Sequence, residues 1–188
     1  MRNTLIIIVY IFLSSCSTPK FYKEISVLQK EIKKEIQLKN NHTKSIKVRG
    51  DDYNKLVLRK LRKELKNTNH IVYYSYSDSD SFSFTIKKNW FIIYDFDNNI
   101  YYSLENLEGK LKKIEVIDVS NVLKDDYDQF IFDNYLKGNC DLLIEKGNVS
   151  MSGVRSYEAV YDIDLKNGLF KKCYFRNFIL IRNDTQYQ

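Results

Sequence analysis

The hydrophobic period of this chain changes once, and the change divides it. Between Phe21 and Leu65 apolar residues return every three or four positions; from His70 onward they return mostly every second. The first period lays a stripe along a helix, and the second lays a face on a strand. Helices grouped ahead of strands point to an α+β fold.

In the stretch from Phe21 to Lys39, residues Phe21, Ile25, Leu28, Ile32 and Ile36 share one helix face, with Lys23, Lys30, Lys33 and Lys34 largely off it. Residues 40–50 read as a loop or short extended piece. Residues 51–67 read as a second helix. Asp51 or Asp52 stands where a carboxylate can accept free backbone N–H groups. Tyr53, Val57, Leu61 and Leu65 form its stripe, thickened by Leu56 and Leu58, while Lys55, Arg59, Arg62 and Lys66 form a second, basic one. Helices lying on a membrane surface carry this pattern. Docking helices with a solvated back carry it more often.

Residues 70–76 read as a strand and 77–81 as a turn. Phe82, Phe84 and Ile86 alternate with polar residues, so 81–87 reads as a second strand. Residues 89–96, apolar on both faces, read as a central strand. Residues 100–104 and 109–119 add two more. A helix is expected over 121–138, with Leu123, Tyr127, Phe130 and Ile131 on one face and Gly138 as its stop. Residues 141–147 suggest a short helical turn ended by Gly147. Tyr157, Ala159, Tyr161, Ile163 and Leu165 alternate cleanly, and Asn167-Gly168 suits the positive φ values of a tight hairpin turn. The expectation is one α+β domain over residues 21–188. It comprises two N-terminal amphipathic helices, an antiparallel meander, a further helix and a C-terminal β-hairpin.

Ahead of that domain stand Arg2, an unbroken apolar run from Leu5 to Leu13, and Ser14-Ser15-Cys16. Nine apolar residues fall short of the roughly 20 that a membrane-spanning helix needs, but they suit a signal peptide. Leu13-Ser14-Ser15-Cys16 resembles the lipobox of bacterial lipoproteins. The resemblance implies removal of residues 1–15, a diacylglyceryl group on the Cys16 sulfur, and often acylation of the new amino terminus. Two chains hold a protein stably on a membrane where one holds it marginally. Residues 16–20 then form a short tether, and the protein faces a non-cytoplasmic compartment of the cell envelope.

The net charge of +6 is uneven. Residues 16–66 carry +9 and residues 67–188 carry −4. The basic half thus adjoins the anchor, where each Lys or Arg close to an anionic leaflet contributes about 1 kcal/mol. Solvation of two amphipathic helices explains the same charge. Nucleic acid is not expected outside the cytoplasm. Cys140 and Cys173 either form one bridge, which export permits, or leave Cys173 a buried thiol.

No motif for chemistry stands out. Two histidines, His42 and His70, cannot supply a zinc site, and no cofactor is called for. Asp95-x-Asp97-x-Asn99 begins like a calcium loop but has Ile100 and Asn106 where glycine and glutamate belong. A hairpin turn explains it, and explains Asp162-x-Asp164 as well. Asp125, Asp126 and Asp128 lie near a helix start, where acids favour the helix dipole. Tyr73, Tyr74, Tyr76, Trp90, Tyr101 and Tyr102 are the best binding hint, a platform for sugars or peptides, although most aromatics must be core. The expected function is a non-catalytic binding or interaction module with a protein or glycan partner in the envelope. The alternatives are an immunity or inhibitor protein against a toxin or hydrolase, and a small carboxylate-dependent hydrolase.

Overall fold

The computed structural model describes residues 18–40, 48, 51–78, 88–107, 110–114, 126–149, 157–176 and 178. Six strands form one sheet in the order β4-β3-β2-β1-β5-β6. They are β1 (His70–Asp78), β2 (Lys88–Asp95), β3 (Ile100–Leu107), β4 (Lys110–Ile114), β5 (Tyr157–Asp164) and β6 (Leu169–Arg176), and every ladder is antiparallel. The helices are α1 (Tyr22–Asn40), α2 (Asn54–Lys60), α3 (Asp126–Leu136) and α4 (Cys140–Val149). The architecture is mixed α+β.

Strand alternation sends each sheet face to its own helix layer. On one face Ile71, Tyr73, Phe91, Ile93, Tyr161 and Ile163 pack with Ile25, Ile32 and Ile36 of α1 and with Val57 and Leu58 of α2. On the other, Val72, Tyr74, Trp90, Ile92, Val160 and Phe175 pack with Ile131 and Phe132 of α3 and Leu143 of α4. Central strands covered on both faces read as unbroken apolar runs, which is why 89–96 lacks alternation.

Several expectations change. The helix expected over 51–67 is a 3-10 turn (Asp51–Tyr53), the seven residues of α2, a turn, and a second 3-10 turn (Glu64–Lys66). Val57, Leu58, Leu61 and Leu65 are buried as the stripe requires, Asn54 is buried with them on the same face of α2, and Leu56, expected to thicken the stripe, is exposed. Neither aspartate caps α2, because Tyr53 holds the N-cap position without a side-chain bond. β1 pairs directly with β2, and the strand expected over 81–87 lies outside the described residues.

Gly138 ends α3 with φ +81°, as a helix stop requires. Gly147 does not end a helix. It lies inside α4, where an added Cβ would stand 2.6 Å from the Arg176 carbonyl oxygen, so its role is close packing of α4 on β6. In the last hairpin only Gly168 takes positive φ; Asn167 does not. The turn spans residues 165–168, and Asp164 holds it by accepting bonds from the Lys166 and Asn167 amides, each 3.0 Å.

Candidate functional site

The strand ends set the site. β1 begins, and β2 and β5 end, at the same edge of the molecule, because His70 pairs with Asp164 and Ile71 with Asp95. Side chains there that share the α3 face form a row of stacked rings. His70 stacks on Phe96 at 4.2 Å between centroids, Phe96 meets Tyr94 at 4.4 Å, and Tyr94 stacks on Tyr101 at 4.4 Å. Tyr101 then meets the buried Phe132 edge-on at 6.1 Å. The row is partly open to solvent, with Phe96 exposed.

A cleft of about 380 Å³ opens beside it, lined by Phe96, Tyr135, Leu136, Cys140, Asp162 and Lys171. Its size lies in the usual range for small-ligand pockets. Asp162 is the polar centre. One oxygen accepts from His70 Nε2 at 2.7 Å and the other from the Tyr135 hydroxyl at 3.1 Å. Burial, the Asp162 charge and this bond together push the Tyr135 hydroxyl far above its ordinary value, so it stays a donor. The Lys171 ammonium adds a positive group at the rim. Flat rings for apolar faces, a paired carboxylate and a cation suit recognition of a mixed polar and apolar surface.

Most of the expected platform is elsewhere. Tyr73, Tyr74 and Trp90 are fully or almost fully buried. Tyr73 donates to Asn54, and Tyr74 donates to the buried Glu158 at 2.7 Å, a carboxylate that also accepts from Tyr127 at 3.1 Å. Tyr101 and Tyr102 are sequence neighbours and therefore point to opposite faces. The side chain of Tyr76 lies outside what is described. Only Tyr101 joins the row. Tyr94, Phe96, Tyr135, Asp162 and Lys171 were not foreseen. Tyr94 and Phe96 fall in a segment read as apolar on both faces, and their meeting with Asp162 depends on β5 lying beside β1.

The acids tie turns together. Asp95 is buried and accepts from Thr68 Oγ1 at 2.5 Å, the Asn98 amide at 3.1 Å and Asn98 Nδ2 at 2.8 Å. Asp97 accepts from the Asn69 amide at 2.5 Å. Hydrogen bonds from Asn167 hold the Asp164 carboxyl below its ordinary range. Among the described residues no three His, Cys, Asp or Glu side chains gather as metal ligands would. Asp128 of α3 is fully buried, out of a substrate's reach. Asp125 and the Asp126 side chain lie outside what is described.

Cys140 opens α4 and Cys173 sits in β6; their sulfurs are 2.11 Å apart and their Cα atoms 5.8 Å apart, so a disulfide closes one wall of the cleft. Lys55, Arg59, Arg62 and Lys66 are all exposed. Lys55 Nζ lies 5.8 Å from the Tyr22 ring centre. Cys16 lies outside the described residues. Among the described residues, no helix is long and apolar enough to cross a membrane. No family model, no curated protein and no solved structure matches the chain.

Proposed function

We propose that this chain is a lipid-anchored protein of the bacterial envelope, attached through Cys16, and a non-catalytic binding module. It takes a protein or glycan partner on the ring row and cleft around Phe96, Tyr101, Asp162 and Lys171. In this reading two N-terminal amphipathic helices lie on the anchor side. The meander, the helices after it and the closing hairpin carry the contact surface. The observation that supports it is the half-open row of four rings running into a cleft with both signs of charge. Clustered aromatics beside satisfied polar groups are typical of recognition surfaces.

Crosslinking in native envelopes, followed by capture of the full-length protein, tests this. The wild type is expected to retain a crosslinked protein or glycan, and Phe96→Ala with Lys171→Glu to retain at least about tenfold less, as removing a central aromatic anchor does. Equal recovery by the variant and the wild type, or no adduct at all, contradicts the reading.

A further inference from the structure

We propose that the end of the sheet carrying the turns 96–99 and 165–168 rests on an anionic lipid surface. Ile100, Leu169 and Phe170 meet the headgroup layer, with Lys55 and Lys66 beside the tether. This rests on the reading of Cys16 as the lipid attachment.

The tether sets the geometry. Pro19 and Phe21 are buried, and Lys20 Nζ donates to the Thr68 carbonyl, to the Lys66 carbonyl at 3.4 Å and to Asn69 Oδ1 at 3.3 Å. The chain is therefore fixed to the domain from Pro19 onward. Three residue steps from Cys16 to Pro19 span at most about 11 Å, whatever their conformation. An acylated Cys16 therefore holds Pro19 to within about that distance of the lipid, and the loop 66–69 lies one Lys20 side chain further on.

Both turns are bonded to this loop. The Asn69 amide donates to Asp97 at 2.5 Å, and the Leu165 amide donates to the Asn69 carbonyl at 2.8 Å. What comes close to lipid is thus the whole turn end. Its carboxylates Asp95, Asp97, Asp162 and Asp164 accept bonds from Thr68, Asn69, His70 and Asn167 within the fold. Its apolar side chains stand open, with Ile100 44% exposed, Leu169 52% and Phe170 46%. The basic stripe of α2 starts beside it, since Lys55 reaches the Tyr22 ring in the first turn of α1. Exposed apolar residues among lysines are the composition of an interfacial face, and the cations favour an anionic leaflet.

The other end points away. α1 runs beside β6, with Lys172 bonded to Glu31 at 2.6 Å and to Glu35 at 2.8 Å, and Tyr174 bonded to Glu35 at 2.9 Å. Leu38, 70% exposed, lies about 24 Å along the helix from Tyr22.

The test uses the full lipoprotein, extracted and placed in phosphatidylethanolamine vesicles with phosphatidylglycerol and brominated acyl chains. Ile100→Trp, Leu169→Trp and Leu38→Trp are each read against the parent, whose single Trp90 is buried. A ring roughly 5–10 Å into the headgroup boundary is expected to lose emission about twofold, so Ile100→Trp and Leu169→Trp dim while Leu38→Trp does not. The two positions lie on different hairpins, so one misfolded variant does not decide the result. Equal quenching at all three, or none at any, with an intact mass showing lipid on Cys16, overturns the docking and leaves the anchor standing. A mass without lipid removes the anchor, and the docking with it.

Discussion

At the scale of single residues, two glycines near the disulfide serve different ends: Gly138 takes the positive φ that stops α3, and Gly147 lets α4 lie against the Arg176 backbone. Gly138 was readable as a helix stop, because a positive φ is a local demand. Gly147 was not, because its constraint is the backbone of Arg176 on another element. Gly147→Ala is expected to destabilise the fold by roughly 1–3 kcal/mol, the usual range for overpacking, seen as a lower midpoint in urea unfolding. An unchanged midpoint would mean that α4 yields without cost. Tyr73 and Tyr74 were hidden for the same kind of reason. Their hydroxyls find Asn54 and Glu158 far along the chain, so rings suited to a surface platform are core. Phe21 holds φ 69° while fully buried. A position that costs a non-glycine residue about 1–2 kcal/mol is retained where the chain enters the fold.

At the scale of elements, strong single stripes were legible and mixed ones were not. The stripe Phe21, Ile25, Leu28, Ile32 and Ile36 is buried throughout, its last four residues in α1 and Phe21 just ahead of it. Over residues 51–67 the inward face is the expected one, since Asn54, Val57, Leu58, Leu61 and Leu65 lie on one side at helical spacing, but the backbone tightens into 3-10 turns at both ends, and a stripe of side chains does not distinguish the two. α1 is clamped to β6 by Lys172 between Glu31 and Glu35. The bond from Lys172 holds the Glu35 carboxyl below its ordinary value, with burial opposing. Burial opposes the charge on Lys172 too, but its bonds to Glu31 and Glu35 raise it overall. A lowered carboxyl stabilises above its unfolded value of about 4.3 and loses that as pH falls through the folded value. A raised ammonium stabilises below its unfolded value of about 10.4 and loses that on the alkaline side. The clamp therefore acts fully around neutrality. Lys172→Met is expected to lower stability by at most about 1 kcal/mol there, since both carboxylates are half-exposed. Urea unfolding around pH 7 and again near pH 3 checks this. The deficit narrows in acid, and a deficit unchanged between the two pH values would assign the effect to packing.

At the scale of the whole molecule, the α+β class followed from one change of period, while the candidate site followed from strand order. Alternation marks strands without saying which are neighbours. The final hairpin joins the sheet at β1, not at β4, where the meander ends. That placement sets Asp162 and Lys171 beside His70 and Phe96 and makes the cleft. The N-terminal segment speaks in the opposite way. Its order of charge, apolar run, small pair and cysteine is a message in sequence alone, and in the proposed reading it governs where every surface above is presented. The decisive measurement is the intact mass of the protein extracted from its own membranes. The account predicts a chain that begins at Cys16 and carries acyl chains. A chain that retains Met1 and carries no lipid would contradict it.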